Sequence, residues 1–194
     1  SKVEVPSTMD GRSFLNKLTS KKSGWIDRNW DSVIIGRELH FHNSRPGNMP
    51  YPMRAVRTKD YLYIRNFKPK RWPMGNPYDS AKLNTPDDLY KMGLSTKPAY
   101  RDLDGSLTKA WMMSRREEPF DKELFRLTMH PRSGEELYDI VNDPDQLVNL
   151  ATEPKFSSVV TSLRARVEQV MNNSNDPRIK DAFDRLPWVD PTKP

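Results

Sequence analysis

The chain has 194 residues, 35% of them apolar, enough for a hydrophobic core of its own and for one domain or one domain with appendages. No run approaches the roughly 20 apolar residues of a membrane-spanning helix, and Ser1 to Ser20 has no apolar stretch of signal-peptide type. Cysteine is absent, which excludes disulfides, thiolate nucleophiles and Cys-based zinc or iron sites.

The net charge of +6 is unevenly spread: residues 1–75 hold 15 Lys/Arg against 6 Asp/Glu, and residues 76–194 hold 17 against 20. Such a basic half suits an anionic partner, for example a sulfated or phosphorylated polymer, although surface lysines also serve solubility alone. Seventeen prolines against eight glycines point to stiff, irregular connections. A first residue of Ser rather than Met leads us to expect a longer parent chain, with any targeting signal out of view.

In chain order, Ser1 to Thr8 has no periodicity, and Asp10 is a possible N-cap for a short helix with Phe14, Leu15 and Leu18 on one side. Ser20 to Asp31 is a basic, tryptophan-bearing connector. Ser32 to Phe41 is a strand candidate, interrupted at Gly36 and resumed by Leu39 and Phe41. The next stretch, HFHNSRPGNMPYP, is a loop by its density of Pro, Gly and Asn, and loops held by rigid strands are where binding groups sit. His40 and His42 share a face at strand spacing, but no carboxylate or third His stands at ligand spacing, so hydrogen-bonding or substrate-facing roles fit them better than metal binding. Arg45 and Arg54 flank the loop, suited to fork-like contacts with sulfate, phosphate or carboxylate oxygens and equally to structural ion pairs.

Met53 to Arg57 and Tyr61 to Phe67 then read as a hairpin across Thr58-Lys59-Asp60, with Leu62 and Ile64 alternating with Tyr61, Tyr63 and Arg65. One face of that arm is available for burial while the other stays amphipathic and basic. Beyond it Lys68, Lys70, Arg71 and Trp72 form a proline-spaced basic cluster. Its single aromatic is thin support for a nucleic-acid site, and nucleic acid is not among the expected partners. Thr85-Pro86-Asp87-Asp88 starts a helix that Gly93 stops. Asp104 or Ser106 starts another, with Leu107, Ala110, Trp111 and Ser114 on one face. Phe120 to Met129 gives a third, with Leu124, Phe125 and Thr128 in line. These three, over about residues 85–130, read as a helical insertion packed on a sheet. Glu136 to Ile140 is a short strand turned out by Asn142-Asp143-Pro144-Asp145. Pro154 to Met171 is the clearest helix, with Phe156, Val159, Val160, Leu163, Val167, Val170 and Met171 at the 3, 4 spacing. Phe183 and Trp188 are possible anchors in a proline-bounded tail.

The run ELYDIVNDPDQLVNLA from Glu136 to Ala151 resembles the ELYDL, DPxE, NLA signature near the C-terminus of type I, formylglycine-dependent sulfatases, with Gln146 where many members have Glu. MDGRSFL from Met9 to Leu15 is similar to the DGxSLLPLL stretch that closes their catalytic domain. The loop and hairpin from His40 to Phe67 are most similar to the heparan N-sulfatase branch, in which YPMR opens this strand.

The resemblance implies an α+β fold: a small antiparallel sheet of about four strands packed by the long C-terminal helix, as the C-terminal subdomain of an alkaline-phosphatase-like sulfatase. On that reading residues 1–31 end the catalytic domain and connect it, 32–173 form the subdomain, and 174–194 are the tail. It further implies a hydrolase of sulfate esters or sulfamates on sulfated glycans such as heparan sulfate. The full-length enzyme would hold calcium or another divalent metal, and this chain would hold no cofactor. The expected partners are the sulfated glycan and the N-terminal catalytic domain, in a periplasmic, secreted or lysosomal location and without a membrane contact.

The family's C/S-x-P-x-R motif is not in this chain. Its nearest approach, TKPAYR from Thr96 to Arg101, has Thr for the nucleophile and its Arg one residue late, so the chain alone is expected to be inactive. The implied substrate-facing residues are His42, Ser44, Arg45 and Asn48, with His40 and Arg54 behind them. The alternative, a non-enzymatic polyanion-binding module built on the basic half, stays open on the sequence.

Overall fold

The structure is a computed structural model and describes residues 6–9, 11, 13–78 and 85–180. Four antiparallel strands in the order β1-β2-β3-β4 make one sheet: β1 Ser32–Arg37, β2 Met53–Thr58, β3 Tyr61–Asn66 and β4 Glu135–Asp139. The hairpin β2–β3 pairs Val56 with Tyr63 and Ala55 with Ile64. Thr58 closes its turn, its Oγ1 lying 3.0 Å from the amide nitrogen of Tyr61. With a two-residue connection, a polar side chain that takes up a turn amide fixes the register.

Because side chains alternate across a strand, the register assigns the two faces. Val56, Tyr63 and Leu137 face helix α5, Ser157–Asn173, whose Val160, Leu163, Val167 and Met171 complete a hydrophobic core. Tyr63 is fully buried there, so the face of β3 in the core is the one that carries Tyr61, Tyr63 and Arg65, not the Leu62–Ile64 face that apolarity alone favours. Ion pairs rim this core: Arg65 to Glu168 at 2.6 Å, Arg164 to Glu135 at 2.6 Å, and Arg54 to Asp176 at 2.6 Å. The 3, 4 spacing predicted α5 correctly, with Phe156 ahead of its first turn and Val170 left half-exposed.

The other face looks toward a helical unit with its own core of Leu89, Ala99, Tyr100, Met113, Phe125 and Met129. It holds α2 Pro86–Gly93, α3 Leu107–Ser114 and α4 Asp121–Met129. The predicted cap Thr85 accepts from the Asp88 amide, and of the two candidates Asp104 and Ser106 it is Ser106 that caps α3, accepting from the Lys109 amide. Helix α2 ends at Gly93, as expected, and does so without a positive φ. A Cβ at Gly93 would lie 2.4 Å from the Cα of Ala110, so this glycine lets α2 and α3 cross closely. On α3 the buried residues are Lys109, Ala110 and Met113, while Leu107 and Trp111 are exposed. On α4 they are Asp121, Phe125 and Met129, with Leu124 half-exposed. Both stripes are rotated from the expected ones because the helices pack on one another and on the 99–103 loop as well as toward the sheet.

Three further expectations need adjusting. β1 ends at Arg37, and Leu39 and Phe41 do not resume it: the facing chain runs Pro50-Tyr51-Pro52, whose prolines have no N–H for the ladder, although the Tyr51 amide still reaches the Glu38 carbonyl at 2.7 Å. β4 begins and ends one residue earlier than expected. The first short helix, α1 Leu15–Leu18, has Phe14 in the N-cap position, and Asp10, Phe183 and Trp188 lie outside the described residues. The connector packs back on α1 through Phe14 against Trp30 and Lys17 over Trp30, and Asp31 pairs with Arg166 of α5.

The run from Glu136 to Ala151 has a structural job. Asn149 Oδ1 accepts from the amides of Leu137 and Ala151, and the Leu150 amide donates to the Leu137 carbonyl, so this segment covers the edge of β4. Asp139 and Asp143 take up the turn amides of Val141, Asn142, Leu147 and Val148.

Candidate functional site

The loop after β1 is bent by Asn43, Gly47 and Asn48, all with positive φ, and Asn48 Oδ1 accepts from the Asn43 amide at 2.9 Å. Asn tolerates this left-handed region better than other residues with a side chain. Segments 72–77 and 99–102 are laced to it. The Asn76 amide donates to the Ser44 carbonyl at 2.7 Å, the Tyr100 amide to the Asn76 carbonyl at 2.9 Å, and the Asp102 amide to the Met74 carbonyl at 3.0 Å. The three segments converge on Gly75, at φ +92°, where a Cβ would lie 2.7 Å from the Arg101 nitrogen and 3.1 Å from the Ser44 carbonyl oxygen.

At the base of this junction Asp102 is buried and accepts three bonds. They come from the Phe41 amide at 3.0 Å, Ser44 Oγ at 2.7 Å and Arg45 Nη2 at 2.5 Å. Arg45 also donates to the carbonyls of Trp72 and Pro73, each at 2.8 Å. Burial pulls the Arg45 guanidinium below its ordinary value, and the charge and hydrogen bond of Asp102 pull it back.

The 95–103 loop is held from its other side by Lys109. This fully buried lysine directs Nζ to the carbonyl oxygens of Ala99 at 2.7 Å, Leu103 at 3.0 Å and Ser95 at 3.2 Å, with those of Thr96 and Tyr100 at 3.4 Å. Burial pushes the Lys109 ammonium down to about 8, and Asp104 opposes it. A ring of carbonyls supplies the partial negative charge that an ammonium needs at such depth.

Over this frame opens a cavity of about 340 Å³, lined by 43–47, Asn76, Pro77, Pro98, Ala99 and Arg101. Of the residues expected to face a substrate, Ser44 and Arg45 line it, but with side chains buried and bonded to Asp102. Asn48 shapes the loop, and His40 and His42 are exposed on it. Arg54 is elsewhere, in a network with Asp176, Glu38 and fully buried Arg178 that fixes the segment after α5 to β2.

The residue that sequence reasoning missed is Arg101. Its Nε donates to the Lys97 carbonyl at 2.6 Å and its Nη1 reaches the Asn43 carbonyl at 3.3 Å, but no carboxylate among the described residues pairs with it. Its one visible signal was its place at the end of the near-miss run from Thr96.

A second cavity, of about 360 Å³, lies between the sheet and α4, with Met53, Ile64, Met74, Leu124 and Leu127 in its wall. Its wall also carries Asn66, Arg132, Glu136, Asp145 and Gln146, and beside it Tyr51 Oη and Arg37 Nε have no hydrogen-bond partner and are closed off from solvent. Burial, with Glu136 nearby, pushes the Tyr51 hydroxyl up to about 12.

The Thr96 hydroxyl accepts from the Gly105 amide, and among the described residues no three His, Asp or Glu come together to hold a metal ion, so these residues do not fit a divalent-metal site. Among the same residues no helix is long and apolar enough to cross a membrane.

No family model matches the chain. It is 28% identical over 160 residues to an ulvan-active sulfatase of Formosa agariphila, covering 82% of this chain and 24% of that one. It is 25% identical over 173 residues to the human N-sulphoglucosamine sulphohydrolase, covering 87% of this chain and 27% of that one. The matched stretch is the C-terminal part of these relatives, so the chain spans about a quarter of their length. A solved 2-O GAG sulfatase superposes on 95% of this chain and 25% of its own at 20% identity, with a TM-score of 0.45, too low to carry weight.

Proposed function

We propose that this chain, whose curated relatives are sulfatases matched over their C-terminal part, is the C-terminal subdomain of a sulfatase acting on a sulfated polysaccharide. The observation that carries this is the match over 82% and 87% of the chain to two such enzymes. The laced loop junction around Gly75 supports a wall of the substrate cleft there, because its backbone is held on three sides and a glycan would meet a preorganised surface. The nucleophile and the divalent metal that the resemblance implies belong to the remainder of the enzyme, whose place would be outside the membrane, in the periplasm, a lysosome or the medium. Val33 and Ile35, exposed on edge strand β1, are apolar groups that this remainder would cover.

The experiment is release of inorganic sulfate from ulvan and from heparan-type oligosaccharides. The protein translated from the complete reading frame should release sulfate from at least one, and the 194-residue chain alone from neither. Failure of the full-length protein on every sulfated polysaccharide, with no C/S-x-P-x-R motif encoded upstream, would return the chain to the polyanion-binding reading.

A further inference from the structure

The cavity beside the loop junction is lined by two arginines and by no carboxylate among the described residues. Their situations are opposite. Arg45 is neutralised at 2.5 Å by Asp102 and buried with it, whereas Arg101 has no such partner. Two of the five guanidinium N–H groups of Arg101 go to the Lys97 and Asn43 carbonyls, which leaves three donors and an uncancelled charge at the cavity.

The backbone that carries Arg101 is fixed. Tyr100 sits at φ 47°, its amide and that of Asp102 are bonded to the 74–76 strand of chain, and the Ala99, Tyr100 and Leu103 carbonyls converge on the buried ammonium of Lys109. A guanidinium on such a base loses little freedom on meeting a planar or tetrahedral oxyanion.

We propose that Arg101 is the anion-recognition residue of this cavity, taking a sulfate or carboxylate group of an acidic glycan. The proposal rests on the sulfatase reading for the word glycan. The charge, the free donors and the cavity stand without it.

The test uses full-length protein, in wild-type, Arg101→Ala and Arg101→Lys forms, titrated calorimetrically with a heparan-type oligosaccharide and with its desulfated counterpart, which keeps its carboxylates. Removal of a charge-assisted contact should weaken binding of the sulfated oligosaccharide about tenfold to a hundredfold in Arg101→Ala. Arg101→Lys should recover part of the loss, since it keeps the charge but not the fork. A loss confined to the sulfated ligand assigns sulfate, and a loss on both assigns carboxylate. Melting curves matching wild type confirm that the variants fold. Equal affinity of wild type and Arg101→Ala, or no binding by wild type, overturns the proposal. Sulfate release by wild type is scored separately, so a protein that cleaves the glycan but is indifferent to Arg101 fails this inference and keeps the sulfatase reading.

Discussion

Arg45 and Asp102, 57 positions apart, meet through Nη2 and Oδ2 at 2.5 Å, with side chains only 2% and 1% exposed. Asp102 holds Ser44 and the Phe41 amide as well, so one carboxylate sets the path of the loop from Phe41 to Arg45. Fold and candidate site are therefore coupled at this pair.

Replacing Asp102 by Ala should be among the most destabilising single changes. It leaves a buried guanidinium without its counter-charge, a loss of about 3–5 kcal/mol. In Arg45→Met/Asp102→Leu the two charges leave together, so the cost should fall well short of the sum of the single changes. Denaturant melts of the full-length protein check both, and strict additivity would show that the pair does not act as a unit.

Gly75→Ala should cost more than 1 kcal/mol, on the order of what a residue forced into an unfavourable backbone region loses, because its Cβ would also press on the Arg101 nitrogen at 2.7 Å. Gly134, which has nothing within 4 Å of an added Cβ and no positive φ, is the control. Gly134→Ala should melt with wild type while Gly75→Ala melts earlier, and equal melting of the two would remove the close approach as a constraint.

Lys109→Met should lower stability by about 1.5–3 kcal/mol, the range for hydrogen bonds to a charged group. It leaves the buried Ala99 carbonyl and the partly buried Leu103 carbonyl without a donor. The loss should be local, so limited proteolysis should cut the 95–103 loop of the variant first. Unchanged cleavage there would show that the carbonyl ring does not hold the loop.

Acid should loosen the contact between α5 and the sheet. Hydrogen bonding by Arg164 holds the Glu135 carboxyl below its ordinary 4.5. For Asp176 burial pushes the carboxyl up, but Arg54 and the Arg178 amide outweigh it and hold it below 3.8. A carboxyl that is more acidic in the folded state contributes stability that is complete above its unfolded value and lost as pH falls through the folded one. Stability should thus decline below about pH 4.5, and Glu135→Gln and Asp176→Asn should each flatten that decline. An acid slope identical to wild type in both variants would put the titration elsewhere.

The elements whose signals are local could be read from the residues alone. Helix α5 follows from its 3, 4 spacing, the β2–β3 hairpin from two β-rich runs about Thr58, and the starts of α2 and α3 from Thr85 and Ser106, because a cap or a turn is settled by residues within about four positions. The sequence also carried, in the run from Glu136 to Ala151, a resemblance whose residues prove to hold the edge of β4. Tertiary structure alone decided which arginine could meet a ligand. Arg45, Arg54 and Arg101 are chemically alike in the sequence, yet Asp102 claims the first, Asp176 and Glu38 claim the second, and no described carboxylate claims the third. An arginine becomes structural or available according to the charge that folding brings beside it. Two of those charges, Asp102 and Asp176, lie 57 and 122 positions along the chain from their partners, beyond the reach of any local pattern.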